Sequence, residues 1–178
     1  MTDILHIHAD GSFDAASRSG GWAFVVMDGN RQISADAGTG IGASNNTFEV
    51  LAVARGLSWL EREALTAASV IWTGSTHLAE GFDGWRHIWR GNCWKRVRGN
   101  SHERRRAIPD VTLWQELDAL LERNPQVRTQ LCKGHAGVAG NEVADAAAKL
   151  AVGCSVPRID GSSKDESSGG NSCLAPSL

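Results

Sequence analysis

The spacing of apolar residues changes near Phe48, and this change restricts the fold more than any other feature of the chain. Before Phe48, short segments rich in β-branched and aromatic residues alternate with turn residues such as Asp28-Gly29-Asn30, which is typical of an antiparallel meander. After it, apolar residues recur every three or four positions, which is the period of an amphipathic helix. Paired strands followed by alternating helices and strands predict a mixed α/β sheet.

The pattern predicts an α/β fold with a mixed sheet of about five strands, three in the antiparallel meander and the rest parallel, flanked by helices on both faces. We expect strands at 4–9, 22–27, 31–37, 70–72 and 127–132. We expect helices at 46–63, from Ser75 or Thr76 to Trp85, from Thr112 to about Asn124, and from Asn141 to Ala151. Thr112 and Asn141 are the expected helix caps, and Asp10-Gly11-Ser12 is an expected loop.

The composition indicates one domain with a different terminal segment. The chain has 178 residues, of which 42% are hydrophobic and 21% charged, enough to bury a core. We expect a folded domain over 1–153 and a disordered tail over 154–178, where Ser, Gly and Asp replace apolar residues.

The sequence also favours a cytoplasmic protein. It has no apolar run long enough to span a membrane, and no basic and apolar leader follows Met1. Its cysteines lack the C-x-x-C spacing of zinc sites, and we expect free thiols. The four cysteines are Cys93, Cys132, Cys154 and Cys173.

Positive charge is concentrated in the segment 85–106, although the formal net charge of the chain is only −2. This segment has a single acid, Glu103, among its many Lys and Arg residues, and it contains Trp85, Trp89 and Trp94. Cations interleaved with flat rings favour contact with nucleic acid. A solvated helix face with its tryptophans in the core is the alternative interpretation.

Three acids are predicted at boundaries between elements. Asp10 is expected at the end of the first strand, whereas Glu49 and Asp145 are expected in the first turns of two helices. Carboxylates that converge at one edge of a sheet stay ionised together only beside a cation, and Mg²⁺ or Mn²⁺ suits such oxygen ligands. The alternative is three solvated acids, two of which complement helix N-termini.

Six motifs in register extend this interpretation, and together they resemble bacterial type 1 ribonuclease H from Ile4 to about Val152. The motifs are His8-Ala9-Asp10-Gly11-Ser12, Gly20-Gly21-Trp22-Ala23, Asn45-Asn46-Thr47-Phe48-Glu49, Trp72-Thr73-Gly74-Ser75, Leu113-Trp114-Gln115-Glu116-Leu117, and Lys133-Gly134-His135-Ala136-Gly137 with Asn141-Glu142-Val143-Ala144-Asp145. The resemblance implies an endoribonuclease that cleaves the RNA strand of an RNA–DNA hybrid. It also implies a monomer with no membrane partner.

The resemblance assigns the chemistry to four residues. Asp10 would bridge two divalent ions, Mg²⁺ or Mn²⁺, while Glu49 and Asp145 would each ligate one of them. His135 would assist proton transfer or product departure.

The resemblance also assigns residues to substrate binding. Asn45 and Asn46 would read the minor groove of the hybrid, and Ser44 would hold a phosphate of the DNA strand. Ala16 stands where the family has an Asn in that phosphate pocket. The basic segment would grip the duplex through Trp85, Arg86, Arg90, Trp94, Lys95 and Arg96. We assign Trp22, Trp72 and Trp114 to the core.

Gly74 departs from the family, because an aspartate metal ligand is expected at this position. Its loss predicts weaker binding of one of the two ions and weakened activity. Three explanations are open: an engineered inactivation, a natural variant in which water or Ser75, Glu80 or Asp83 replaces the acid, and a natural pseudoenzyme. Two other functions also remain open: a catalytically inactive hybrid-binding module, and a domain whose basic segment contacts an acidic protein.

Overall fold

The computed structural model describes residues 4–64, 66–96, 107–132 and 138–153. Its centre is one mixed five-stranded sheet with the strand order β3-β2-β1-β4-β5. The first three strands pair antiparallel, and β4 and β5 extend the sheet in parallel from β1. The strands are β1 (Leu5–Asp14), β2 (Ser19–Asp28), β3 (Arg31–Ile41), β4 (Ser69–Thr73) and β5 (Val127–Leu131). The predicted fold class is therefore confirmed.

Helices cover both faces of this sheet. They are α1 (Asn45–Glu63), α2 (Thr76–Glu80), a π turn (Gly81–Trp85), α3 (Arg86–Gly91), α4 (Val111–Arg123) and α5 (Ala139–Gly153). Ile7 of β1 lies against Gly56 of α1, whereas the next residue, His8, lies against Gly140 of α5. Because successive side chains of a strand point to opposite faces, α1 and α5 enclose β1 from the two sides.

The main core lies between the sheet and helices α1 and α4. Ile7, Leu57, Ile71 and Leu117 are completely buried there, and Trp114 is almost so. The core assignment of Trp114 is therefore confirmed. Trp22 and Trp72 are only partly buried, with the Trp72 indole Nε1 donating to His6 Nδ1 at 2.8 Å.

The loop expected at Asp10-Gly11-Ser12 is wrong, because β1 continues through these residues to Asp14. They pair with Ala23, Trp22 and Gly21 of β2, so their backbone groups remain in the ladder. The parallel pairing of β1 with β4 ends earlier, at His8 and Trp72. Asp10 therefore lies inside a strand, just beyond the end of its parallel neighbour.

The two predicted helix caps are also wrong. Asp110, with a left-handed φ of 54°, precedes α4, and its carboxylate accepts a hydrogen bond from Thr47 Oγ1 at 2.9 Å. Thr112 therefore lies inside the first turn. Helix α5 begins at Ala139, which places Asn141 in its first turn and moves Asp145 into the second. Glu49 is likewise in the second turn of α1, which begins at Asn45 after the cap residue Ser44.

The helix predicted from Ser75 or Thr76 to Trp85 is present, but a π turn interrupts it at Gly81–Trp85. Ser75 caps its start by accepting from the amide of Leu78 at 3.2 Å. Gly81 is required where it stands, because a Cβ there would overlap the indole of Trp114. The glycine lets this segment approach α4.

Two further expectations concern the chain as a whole. None of the helices in the described ranges has the length and hydropathy needed to span a membrane. Cys93 and Cys132 are free thiols, as expected. Cys154, Cys173 and the predicted tail 154–178 lie outside the described residues.

Candidate metal and nucleic-acid site

Three elements bring the carboxylates of Asp10, Glu49 and Asp145 close to one another. Asp10 comes from β1, Glu49 from α1 and Asp145 from α5. Asp10 influences the pKa of Glu49, and Asp145 influences the pKa of both. The structure therefore brings the three sequence-predicted acids within electrostatic range of one another.

Glu49 is the most deeply placed of the three acids, with only 7% of its surface exposed. Its Oε1 accepts a hydrogen bond from Asn45 Nδ2 at 3.0 Å, one turn earlier on α1. Its Oε2 is buried and has no hydrogen-bond partner among the described residues. Burial first, and then the neighbouring charge of Asp10, raise the pKa of Glu49 to about 8.

Asp10 and Asp145 face each other across β1 and α5. Burial, together with the proximity of Asp145, raises the pKa of Asp10 to about 6, although the amide of Gly11 donates to its Oδ1 at 2.9 Å. Asp145 is more exposed and pairs through Oδ2 with Lys149 Nζ at 2.7 Å. This ion pair raises the pKa of Lys149. Lys149 is thus a cation at the rim of an otherwise acidic cluster.

The donor set suits a hard divalent cation. Carboxylate oxygens are the ligands that Mg²⁺ and Mn²⁺ prefer, and the buried oxygen of Glu49 lacks the partner that a cation would supply. No group of three or more His, Cys, Asp or Glu side chains in the described part of the chain is positioned to hold a metal ion without other ligands. A cation at this cluster would have to complete its shell with water and substrate oxygens, as Mg²⁺ usually does.

Gly74 follows β4 directly. It stands two residues after Trp72, and Asp10 stands two residues after His8, the residue that pairs with Trp72. A Cβ on Gly74 would have only the carbonyl oxygen of Cys132 near it, at 4.0 Å. There is room for a longer side chain at this position.

None of the residues considered as substitutes for an acid at position 74 joins the cluster. Glu80 and Asp83 line a shallow hollow beside Thr76 and Leu131, and they do not contribute to the pKa of Asp10 or Glu49. The Ser75 hydroxyl caps α2 instead.

The predicted minor-groove residues lie at the start of α1, beside the acids. Asn46 is exposed, whereas the amide of Asn45 is bonded to Glu49, so Asn45 links this surface to the acidic cluster. Ser44 is half-buried, and its backbone amide donates to Thr47 Oγ1 at 3.3 Å. This bond is one of the two hydrogen bonds of the capping box at the start of α1.

Arg86 does not belong to the exposed part of the basic segment. It is 9% exposed, and its guanidinium donates to Asp118 Oδ1 at 2.6 Å and to the Phe82 carbonyl oxygen at 2.7 Å. A buried guanidinium with buried partners fixes α3 against α4 and is not available to a phosphate. Arg90 is more exposed and pairs with Glu122 at 2.8 Å.

A cluster of aromatic rings forms the inner wall of the basic segment. Trp85 contacts His77 and Trp89, with ring centroids 5.0 and 5.7 Å apart, and Trp114 lies against both of those rings. A cavity of about 490 Å³ opens beside them and is also lined by Arg96. Trp89 and Trp114 are buried and Trp85 packs against the same core, which favours the alternative interpretation for these rings, with tryptophans in the core.

Other predicted residues fall at the end of this segment or outside the described ranges. Trp94 is half-buried with a left-handed φ of 56°, and Lys95 beside it is exposed. The remaining basic positions, 98 and 104–106, and His135 lie outside the described residues.

The sequence reasoning missed three residues at the acidic cluster. Lys149 stands four positions after Asp145, and this helical spacing predicts an ion pair between the two side chains. His8 stands two positions before Asp10 on the same face of β1, and its partner Asn141 is known only from the structure. Burial first, and then His6, lower the pKa of His8 to about 4, so its ring is neutral.

This fold and this cluster of acids define an α/β domain of the nuclease type, and comparison with known proteins identifies the family. The RNase H family matches residues 2–153. Ribonuclease H of Neisseria gonorrhoeae is 33% identical over 145 residues, which cover 82% of this chain and 92% of the relative. Ribonuclease H of Verminephrobacter eiseniae is 32% identical over 149 residues, covering 83% and 90%. The chain belongs to the RNase H family.

Solved structures agree on the fold. LC9-RNase H1, a type 1 RNase H with the type 2 active-site motif, superposes with a TM-score of 0.70 at 25% identity, covering 86% of this chain and 74% of that one. The foamy viral protease-reverse transcriptase in complex with RNA/DNA hybrid gives a TM-score of 0.67 at 13% identity. There the match covers 85% of this chain and only 20% of the longer viral one.

Proposed function

We propose that this protein is a ribonuclease H that hydrolyses the RNA strand of RNA–DNA hybrids with a divalent cation held by Asp10, Glu49 and Asp145. Membership of the RNase H family supports the reaction class. The observation that carries the metal assignment is the convergence of these three acids, with one buried Glu49 oxygen left without a partner.

Mg²⁺ or Mn²⁺ at this cluster would supply Lewis acidity, which lowers the pKa of an attacking water and stabilises the departing oxygen. The acids of this chain prepare the cluster for a cation. Burial and mutual repulsion hold the pKa of Glu49 near 8 and that of Asp10 near 6, so a positive charge is needed to keep both ionised at neutral pH. Asn45 fixes one oxygen of Glu49 and leaves the other available.

The exposed residues around the cluster are proposed to select the hybrid. Asn46, which is exposed on the first turn of α1, is proposed to donate to groups of a minor groove, where the 2′-hydroxyl distinguishes RNA from DNA. Ser44 is proposed to hold a phosphate. The rings of Trp85 and Trp94 and the cations Lys95 and Arg96 are proposed to contact the other strand.

Two further assignments rest on the family resemblance. His135 is proposed to assist proton transfer or product departure, and it lies outside the described residues. The number of bound ions is proposed to be two, with one site weakened because Gly74 offers no carboxylate. The enzyme is proposed to act as a cytoplasmic monomer, with the domain spanning 1–153.

The experiment is cleavage of a labelled RNA–DNA hybrid by the full chain, with enzyme in excess over substrate, in Mn²⁺ and separately in Mg²⁺. We expect cleavage of the RNA strand alone, with no cleavage in EDTA. Asp10→Asn, which keeps the side-chain shape and removes the charge, is expected to abolish it. Cleavage by Asp10→Asn at the wild-type rate would contradict the role of Asp10.

A second candidate function is a hybrid-binding module without turnover. Gly74 favours it, because glycine offers no carboxylate to a cation. Such a module would bind the hybrid with a steep dependence on salt and leave it intact in every metal. Retention of three acids in one cluster favours the enzyme, because binding to an anionic duplex is opposed by uncompensated carboxylates.

A further inference from the structure

The His8 ring fills the space between β1 and α5. It is 4% exposed and stacks on Trp72, with ring centroids 5.8 Å apart and an interplanar angle of 19°. A Cβ added to Gly140 of α5 would overlap the ring, at 2.5 Å from Nε2 and 2.7 Å from Cγ. The backbone of α5 therefore rests directly on this ring, and the ring fixes how near the helix comes to the strand.

Asn141, the next residue of α5, makes this contact polar as well as steric. Its side chain interacts with the His8 ring. His8 Nδ1 and Asn141 Oδ1 are both buried, and neither has a hydrogen-bond partner among the described residues.

The same contact lies beneath two of the acids. Asp10 is two residues after His8 on β1, and Asp145 is four residues after Asn141 on α5. Side chains two apart on a strand, or four apart on a helix, share a face. The pair His8 and Asn141 therefore forms a layer directly below the pair Asp10 and Asp145.

We infer that His8 is a positioning residue: its ring, held between Gly140 and Trp72 and engaged by Asn141, sets the separation of Asp10 and Asp145 for a shared divalent cation. This inference rests on the proposed function, because it assigns a purpose to the spacing of the two acids. It predicts that crowding or loosening this layer changes cation affinity more than it changes folding.

The test combines a size exchange with a matched control. Gly140→Ala inserts a methyl group against the ring, and His8→Ala in the same chain removes the obstruction. Gly56→Ala is the control, because its methyl group would crowd Ile7 of the same strand, at 2.9 Å, from the opposite face. Mn²⁺ affinity is measured by electron paramagnetic resonance of free Mn²⁺, and stability is measured by urea unfolding.

We expect Gly140→Ala to raise the Mn²⁺ dissociation constant about tenfold over that of Gly56→Ala, as perturbed supporting groups of metal sites do. The double variant His8→Ala/Gly140→Ala should recover most of that loss. Equal dissociation constants for Gly140→Ala and Gly56→Ala, or no recovery in the double variant, would overturn the inference. Should Gly140→Ala fail to fold, Asn141→Ala takes its place: weaker Mn²⁺ binding supports the inference, and unchanged binding overturns it.

A second measurement separates this inference from the proposed function. If the wild-type protein binds no Mn²⁺, the proposed metal site is wrong, and amide hydrogen exchange of the metal-free protein then decides the positioning role. Asn141→Ala should speed exchange in the first two turns of α5 and leave α1 unchanged. Unchanged exchange in α5 would overturn the positioning role of the His8 layer.

Discussion

The backbone of Gly11 in β1 lies directly against the backbone of Glu49 in α1. A Cβ on Gly11 would overlap the Glu49 amide nitrogen and stand 2.6 Å from the carbonyl carbon of Phe48. Both obstacles are backbone atoms, which cannot rotate away as a side chain can. This close approach is what brings Asp10, the residue before Gly11, within electrostatic range of the Glu49 carboxylate.

Gly11→Ala is therefore expected to separate the first two acids. Forcing α1 away from β1 should lower the free energy of unfolding by about 3 kcal/mol, the upper range for overpacked sites. Cleavage of the hybrid should fall further than the loss of folded protein explains, because the cation would lose one ligand. Urea unfolding and single-turnover cleavage measure the two effects.

The control for Gly11→Ala is Gly91→Ala, at the end of α3, where a Cβ meets nothing within 4 Å. Its stability should match or slightly exceed that of the wild type. If Gly11→Ala is as stable and active as Gly91→Ala, the close approach does not set the position of the acids.

Gly74→Asp is expected to strengthen the proposed metal site. The position is open, with only the Cys132 carbonyl oxygen at 4.0 Å, so the new side chain fits without repacking. An added anionic ligand at position 74 should increase single-turnover cleavage at low Mg²⁺ by about tenfold or more. The measurement is the rate as a function of Mg²⁺ concentration.

Gly74→Asn is the matched control, because it has the same shape without the charge. It should leave the Mg²⁺ dependence close to that of the wild type. Equal behaviour of Gly74→Asp and Gly74→Asn would show that the carboxylate is not the missing feature.

Much of this arrangement follows from local sequence patterns. The periods of the apolar residues predict all five strands and every helix except α3, and the three acids predicted to converge lie within electrostatic range of one another. The wrong predictions concern segments whose structure depends on contacts with residues distant in the sequence. β1 continues through Gly11 because β2 pairs with it, whereas glycine and serine locally favour a turn.

Arg86 is a second residue whose structural role local sequence does not predict. Its sequence context is basic, which predicts exposure to phosphate, but its partner Asp118 is 32 residues away and on another helix. No local pattern reveals a buried ion pair between distant residues. The layer formed by His8 and Asn141 is hidden for the same reason.

Arg86 and Lys95 are expected to differ sharply on substitution. Arg86→Met leaves the buried Asp118 carboxylate without its main partner and should lower the free energy of unfolding by about 3 kcal/mol. It should not change the slope of log Kd for a hybrid against log salt. Urea unfolding and fluorescence anisotropy at several salt concentrations provide both quantities.

Lys95→Met is expected to show the opposite result. Lys95 is exposed, so stability should change little, while the salt slope should fall by about one phosphate contact. A reduced slope for Arg86→Met, or an unchanged slope for Lys95→Met, would contradict this division of roles.

The metal-free protein is expected to lose stability as the pH rises, because Glu49 and Asp10 both have raised pKa values in the folded state. A carboxyl whose pKa is higher folded than unfolded stabilises the protein below its unfolded value, near 4.5 for Glu49, and this contribution is lost as the pH rises through the folded value, about 8. Between pH 4 and 6.5 the lowered pKa of His8 opposes this trend, so urea unfolding in EDTA should show the falling free energy of unfolding most clearly between pH about 6.5 and about 8.5. Glu49→Gln, which cannot ionise, should flatten this fall and be more stable than the wild type at the alkaline end.

Saturating Mn²⁺ should remove the advantage of Glu49→Gln, because the cation favours the ionised carboxylate of the wild type. If Glu49→Gln and the wild type lose stability in parallel in EDTA, the buried Glu49 carboxyl is not the source of the pH dependence.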